Sequence, residues 1–189
     1  ITPRVRKFYR SYRSPFHQVA SRLKDVPLDK IESIQSFTLA PWEGRVQAVK
    51  YDNAGKVAEL EWDIRVAVSS SARNDVVGAG GFVLARAHED AEEIGETVSF
   101  TVGLESEQNL YSGELAAMAH ALKALPDVRH RRVALLISNQ AVALTLCNPR
   151  QHSGQEYVRR IYGSINKLWK GGNGILVFWI PSSNENELL

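Results

Sequence analysis

Between Asp63 and Pro181 the apolar residues change period in an order that few architectures can accommodate. Asp63–Val68 alternates and is β-branched, Gly78–Leu84 follows as a second strand-like run, and Thr97–Leu104 is a third. A period of two means a half-buried strand, and three such runs separated by short polar stretches pair antiparallel. The period then lengthens. Leu115, Met118, Leu122 and Leu125 recur at three, seven and ten residues, the stripe of one helix over about 110–125 that Pro126-Asp127 ends. Arg132–Ile137 is almost wholly apolar, as a strand covered on both faces must be. Ser138-Asn139 offers an N-cap for a second helix, and Ser153-Gly154-Gln155-Glu156 has capping-box spacing for a third, with Val158, Ile161, Ile165 and Leu168 on one face and Gly171-Gly172 at its end. Ile175–Ile180 is a fifth strand closed by Pro181. The order β-β-β-α-β-α-α-β, with its strand–helix–strand connection right-handed, predicts an α/β fold: a five-stranded mixed sheet with helices packed on it.

The remaining length is organised differently. Residues 1–24 hold Arg4, Arg6, Lys7, Arg10, Arg13, Arg22 and Lys24 and no acid, which leaves 16 basic residues against all 21 acidic ones beyond that point. A basic arm thus precedes a mildly acidic body. Ser14-Pro15 breaks the chain, and a short helix over about 15–28 would carry Phe16, Val19 and Leu23 on one side. Residues 29–60, with turn-like Pro41-Trp42-Glu43-Gly44 and Asp52-Asn53-Ala54-Gly55, are expected to be a connecting segment packed on the main body. The division is then residues 1–60 as arm and connector and residues 61–189 as the folded domain. Arginines interleaved with Phe8, Tyr9 and Tyr12 suit a phosphate backbone and stacked bases, and equally suit a solvated linker.

Several classes are excluded. No apolar run nears the roughly 20 residues that cross a bilayer, and the N-terminal segment lacks the apolar stretch of a secretory signal. One cysteine, Cys147, permits no internal disulfide and suits an intracellular, cytoplasmic or nuclear setting. An initial Ile1 suggests a piece of a longer chain.

Four local sequences, in this order of elements, resemble the ribonuclease H family. Gly78-Ala79-Gly80-Gly81 is similar to its second-strand glycines, and Gly113-Glu114-Leu115-Ala116-Ala117-Met118-Ala119-His120-Ala121-Leu122 to its acidic helix start. Ser138-Asn139-Gln140-Ala141-Val142-Ala143-Leu144 resembles the family's S-D-S-x-x-A-L, and Trp179-Ile180-Pro181 the W-[IV]-P before its His-bearing loop. The resemblance covers about residues 61–189 and is strongest to the domains that end non-LTR retrotransposon polyproteins of filamentous fungi, where segments like Arg13-Ser14-Pro15 and Ala40-Pro41-Trp42-Glu43 link reverse transcriptase to ribonuclease H.

The resemblance implies a ribonuclease-H-like fold and hydrolysis of the RNA strand of an RNA–DNA hybrid by two divalent ions held by four acids. Here Glu114 stands at the helical acid, but Ser69 and Asn139 stand where the family has Asp, and Ser183 where it has His. Glu185 or Glu187 stands near the fourth acid, in a last helix barely begun at Leu189. Asp63 lies six residues before Ser69, roughly 20 Å along an extended strand, and cannot substitute. The leading expectation is a degenerate domain of reverse-transcriptase origin, with no resident metal, that binds nucleic acid such as an RNA–DNA hybrid through Arg4, Arg6, Lys7, Arg10 and Arg13 without efficient cleavage. The second is an active Mg²⁺-dependent ribonuclease H, and the third a scaffold repurposed to bind protein. Plainer roles stand beside these: Glu114 as a helix N-terminal acid, Asn139 as an N-cap, Ser69–Ser71 as a polar turn, His120 as a partly exposed helix residue and Cys147 as a small apolar group.

Overall fold

The computed structural model describes residues 14–27, 36–50, 62–86 and 93–181, in two compact units, Ile1–Ser33 and Ile34–Leu189. In the first unit, Ser14 caps the helix α1 (Pro15–Arg22) by accepting from the His17 N–H at 3.3 Å, and Pro15 opens it. The stripe Phe16, Val19 and Leu23 lies exposed.

Among its described residues the second unit holds a six-stranded sheet and three helices. Its elements are β1 (Ala48–Lys50), β2 (Ile64–Arg73), β3 (Val76–Arg86), β4 (Glu93–Leu104), α2 (Leu110–Ala124), β5 (Arg132–Ile137), α3 (Gln140–Cys147), α4 (Gln155–Lys170) and β6 (Gly174–Trp179). The sheet order is β1-β6-β5-β2-β3-β4. Strands β2, β3 and β4 pair antiparallel, and β2, β5, β6 and β1 run parallel. Without β1 this is the ribonuclease-H-like arrangement, and the fold is of that class.

Two differences from expectation matter. First, Ser69–Ser71 is strand, not turn. The reversal falls at Asn74-Asp75, with φ of 51° and 60°, and Arg73 pairs with Val76 across it. Both central residues have positive φ, the type I′ geometry that Asn and Asp tolerate and that suits the twist of a two-residue hairpin. Second, β1 adds a sixth strand from the segment expected to be a connector. Val177 N–H donates to the Gln47 carbonyl at 3.0 Å, Phe37 stacks on Tyr162 with ring centroids 5.3 Å apart, and Val46 is buried. Residues 36–50 thus pack on the folded body, as expected of the connecting segment, and add a strand to its sheet.

The core follows from strand alternation. Val66 and Val68 of β2, Val133, Leu135 and Ile137 of β5 and Val177 of β6 face Leu115, Met118 and Leu122 of α2 and Val158, Ile161 and Ile165 of α4. Ala67, Ala134, Leu136 and Phe178 form a smaller cluster on the other face. Gly81 is required where β3 crosses β2, because a Cβ there would lie 2.5 Å from the Ala67 carbonyl oxygen. Helix α2 starts with a reciprocal capping box between Asn109 and Ser112. Helix α4 does not use the box its sequence offers: Gly154, at φ 79°, is its N-cap and no side chain caps it. Gly171 and Gly172 end α4 as expected, with Gly172 at φ 75°.

Candidate active-site cleft

The ends of β2, β5 and β6 meet the first turns of α2 and α3 in an open cleft of about 380 Å³. Ser70, Glu114, Ser138, Asn139 and Trp179 line it. This is where the family resemblance puts its chemistry, so each expected residue can be located.

Glu114 is on the first turns of α2 and is 1% exposed. Both of its carboxylate oxygens accept hydrogen bonds. Oε1 accepts from the Ser138 N–H at 2.6 Å and from the Asn139 N–H at 3.1 Å, and Oε2 accepts from the Ser138 hydroxyl at 2.9 Å. Those two N–H groups sit at the junction of β5 and α3. Glu114 therefore ties α2 to the entry of α3 and satisfies donors that a helix start leaves open. Burial pushes its carboxyl above the usual glutamate range, while the Asn139 backbone bond and the two Ser138 bonds pull it back part of the way.

Asn139 is the N-cap of α3, its Oδ1 accepting from the Ala141 N–H at 2.9 Å. Ser69 is not in the cleft. Because β2 continues as strand through Arg73, side chains alternate: Val66, Val68 and then Ser70 point to the α2 side, and Ser69 shares the opposite side with Ala67. The serine of the cleft is Ser70, and its hydroxyl donates to the Leu110 carbonyl at 2.7 Å. Extending the alternation of Val66 and Val68 two residues further is the signal that would have selected Ser70. The Ser138 hydroxyl was also missed, and its place beside Asn139 carries no sequence mark of a partner 24 residues earlier.

Trp179 closes one side. Its indole N–H donates to the Ser138 carbonyl at 3.1 Å, and the Lys50 ammonium stands 5.6 Å from its ring centroid. Asp63 is held at the opposite end of β2, accepting from the Arg132 N–H at 2.7 Å, with the Arg131 guanidinium 3.4 Å away. Asp75 lies in the β2–β3 turn. Ser183, Glu185, Glu187 and the arm residues Arg4, Arg6, Lys7, Arg10 and Arg13 lie outside the described residues.

Hard divalent ions need oxygen ligands with charge and free lone pairs. The cleft supplies one carboxylate already accepting three hydrogen bonds, a hydroxyl turned to a carbonyl, and an amide oxygen capping a helix. Among the described residues no group of three or more His, Cys, Asp or Glu side chains could hold a metal ion. The described residues do not fit a pair of divalent ions.

No family model and no curated protein matches the sequence. Among solved structures the chain is similar to ribonuclease H1 from the halophilic archaeon Halobacterium salinarum NRC-1, at 15% identity over 65% of this chain and 88% of that one, with a TM-score of 0.45. It is also similar to the N-terminal ribonuclease H domain of a Mycobacterium tuberculosis protein, solved as a fusion with maltose-binding protein, at 11% identity over 66% and 86% of the two chains, with a TM-score of 0.47.

Proposed function

We propose that this chain is a degenerate ribonuclease-H-like domain of reverse-transcriptase, retrotransposon-type origin, which binds nucleic acid, an RNA–DNA hybrid in particular, without cutting it efficiently. The observation that carries the reading is the engagement of Glu114, the acid of the resemblance that lies in the described cleft. Its oxygens accept from Ser138 and Asn139, so it braces the framework. Two divalent ions about 4 Å apart repel strongly unless several carboxylates neutralise them. Ser70 and Asn139 bring none. No helix among the described residues is long and apolar enough to cross a membrane.

The test is a labelled RNA–DNA hybrid incubated with the full chain, first with a chelator and then with Mg²⁺ or Mn²⁺. The reading expects metal-independent binding that weakens steeply with salt, and no product above the protein-free control. Cleavage in Mg²⁺ that disappears in Glu114→Gln would replace it with the active-enzyme reading. Absence of any hybrid binding would remove the nucleic-acid part.

A further inference from the structure

Away from the cleft, helices α2 and α4 enclose a second depression of about 460 Å³. Its walls carry His120 and Lys123 from α2 and Arg160, Gly163, Ser164 and Lys167 from α4. Sequence spacing explains the set. Residues 160, 163, 164 and 167 fall at i, i+3, i+4 and i+7, one face of a helix, and 120 and 123 are one turn apart on the other. All but the half-buried Ser164 are exposed.

The charge is one-signed. Among the described residues neither Lys123 nor Lys167 is in an ion pair. Arg160 binds Glu156 through Nε at 3.0 Å, which leaves its terminal N–H groups for a ligand. The His120 ring is fixed against Phe100, with centroids 4.6 Å apart. Asp127, at the far end of the seam, is 4.0 Å from Arg129. A Cβ at Gly163 would meet nothing within 4 Å, so the floor is open to a bulky group.

We infer that this α2–α4 seam is a phosphate-backbone docking groove, with Lys123, Arg160 and Lys167 as its cationic contacts and the Ser164 hydroxyl as an added donor. The inference rests on the nucleic-acid reading above and assigns that binding to a surface distinct from the cleft and the arm. Shape favours a strand over an isolated phosphate. Lys123, Ser164 and Lys167 also line the adjoining depression toward Pro126 and Asp127, so the two depressions are continuous. Arg160 and Lys167 are seven residues apart, roughly 10 Å by helical rise. That is the axial length of about three phosphates of one strand at roughly 3.4 Å each. A peptide ligand would be anchored by large apolar or aromatic side chains in a buried pocket, whereas this stretch is lined by exposed Lys123, Arg160 and Lys167. With no Phe, Tyr or Trp among its lining residues, and with the His120 ring packed against Phe100, the groove would hold the backbone and ignore base identity.

The experiment compares full-length protein with two variants: Lys123→Gln/Arg160→Gln/Lys167→Gln, all exposed positions, and the arm variant with Arg4, Arg6, Lys7, Arg10 and Arg13 changed to Ala. Anisotropy of a labelled RNA–DNA hybrid is followed across a salt series. The groove variant is expected to bind at least about tenfold more weakly, with a log–log salt slope shallower by two to three at about 0.9 per lost contact. If wild type binds and the groove variant keeps its affinity and slope, the groove assignment is overturned and the nucleic-acid reading stands, more so if the arm variant has lost binding. If wild type does not bind hybrid at all, both fall. An oligoglutamate peptide of matching charge is the competitor: failure to displace the hybrid supports a phosphate groove, and displacement as effective as that by unlabelled hybrid would overturn the ligand class.

Discussion

A buried carboxylate with three donors around it has consequences that an exposed helix-start acid would not. Glu114→Ala leaves the Ser138 and Asn139 donors without their acceptor, and a loss of about 1–3 kcal/mol is expected in urea unfolding. Glu114→Gln should cost less, within about 1 kcal/mol of wild type at neutral pH. Its oxygen can keep both backbone N–H groups, and its amide can donate to the Ser138 hydroxyl with that bond reversed. Equal losses in the two variants would contradict this picture of the clamp. The pH dependence separates them further. Burial holds the Glu114 carboxyl above the ordinary value of 4.5. A group that holds its proton more tightly when folded adds stability below its unfolded value and loses it as pH rises through the folded one. As pH rises from about 4.5, wild type should therefore lose stability relative to Glu114→Gln, which has no such titration. A difference that grows with pH would mean a folded carboxyl below 4.5. Glu114 and Asn139 were both legible as residues of this site because the family resemblance sets its helical acid and its fourth-strand Asp at those positions. Ser70 was not, because Ser69 and Ser70 differ only in strand phase, and the phase depends on where the turn falls.

Elements meet this site through close packing that small residues permit. A Cβ at Gly113 would lie 2.9 Å from the Ser70 Cβ and 3.1 Å from the Val77 Cγ1. Gly113 thus lets α2 approach β2 and β3 closely enough for Glu114 to reach Ser138. Gly113→Ala should destabilise by about 1–3 kcal/mol, although alanine is the better helix former, because the clash exceeds the gain in propensity. Unchanged or raised stability in thermal unfolding would mean that α2 can ride away from the sheet at no cost. The same scale shows where sequence patterning stopped. The antiparallel strands, β5, β6 and the described helices of the body carry period or capping signals long enough to read. Strand β1 spans three residues, Ala48–Lys50, and its burial is exposed throughout. Its place is set by pairing with the edge of β6, a long-range contact without local periodicity.

For the molecule as a whole, a fold built on family-like elements carries a cleft in which the Glu114 carboxylate and the Asn139 amide oxygen are engaged by the framework. The fold was legible because the order of periods limits the topology. The chemistry was partly legible because Asn139 stands where the resemblance requires a carboxylate, and a missing charge is visible in sequence. What sequence could not supply is that the remaining carboxylate faces inward on three donors, since Ser138 and Glu114 are joined only by the tertiary fold. The most direct measurement is a calorimetric titration of the full chain with Mg²⁺ and then Mn²⁺, without nucleic acid. The account predicts no saturable binding at millimolar metal, at roughly the weakest affinities that dedicated sites show. It also predicts that Ser70→Asp with Asn139→Asp gains saturable binding and a metal-dependent rise in Tm. Saturable binding of two ions by the unaltered chain, abolished in Glu114→Gln, would contradict it.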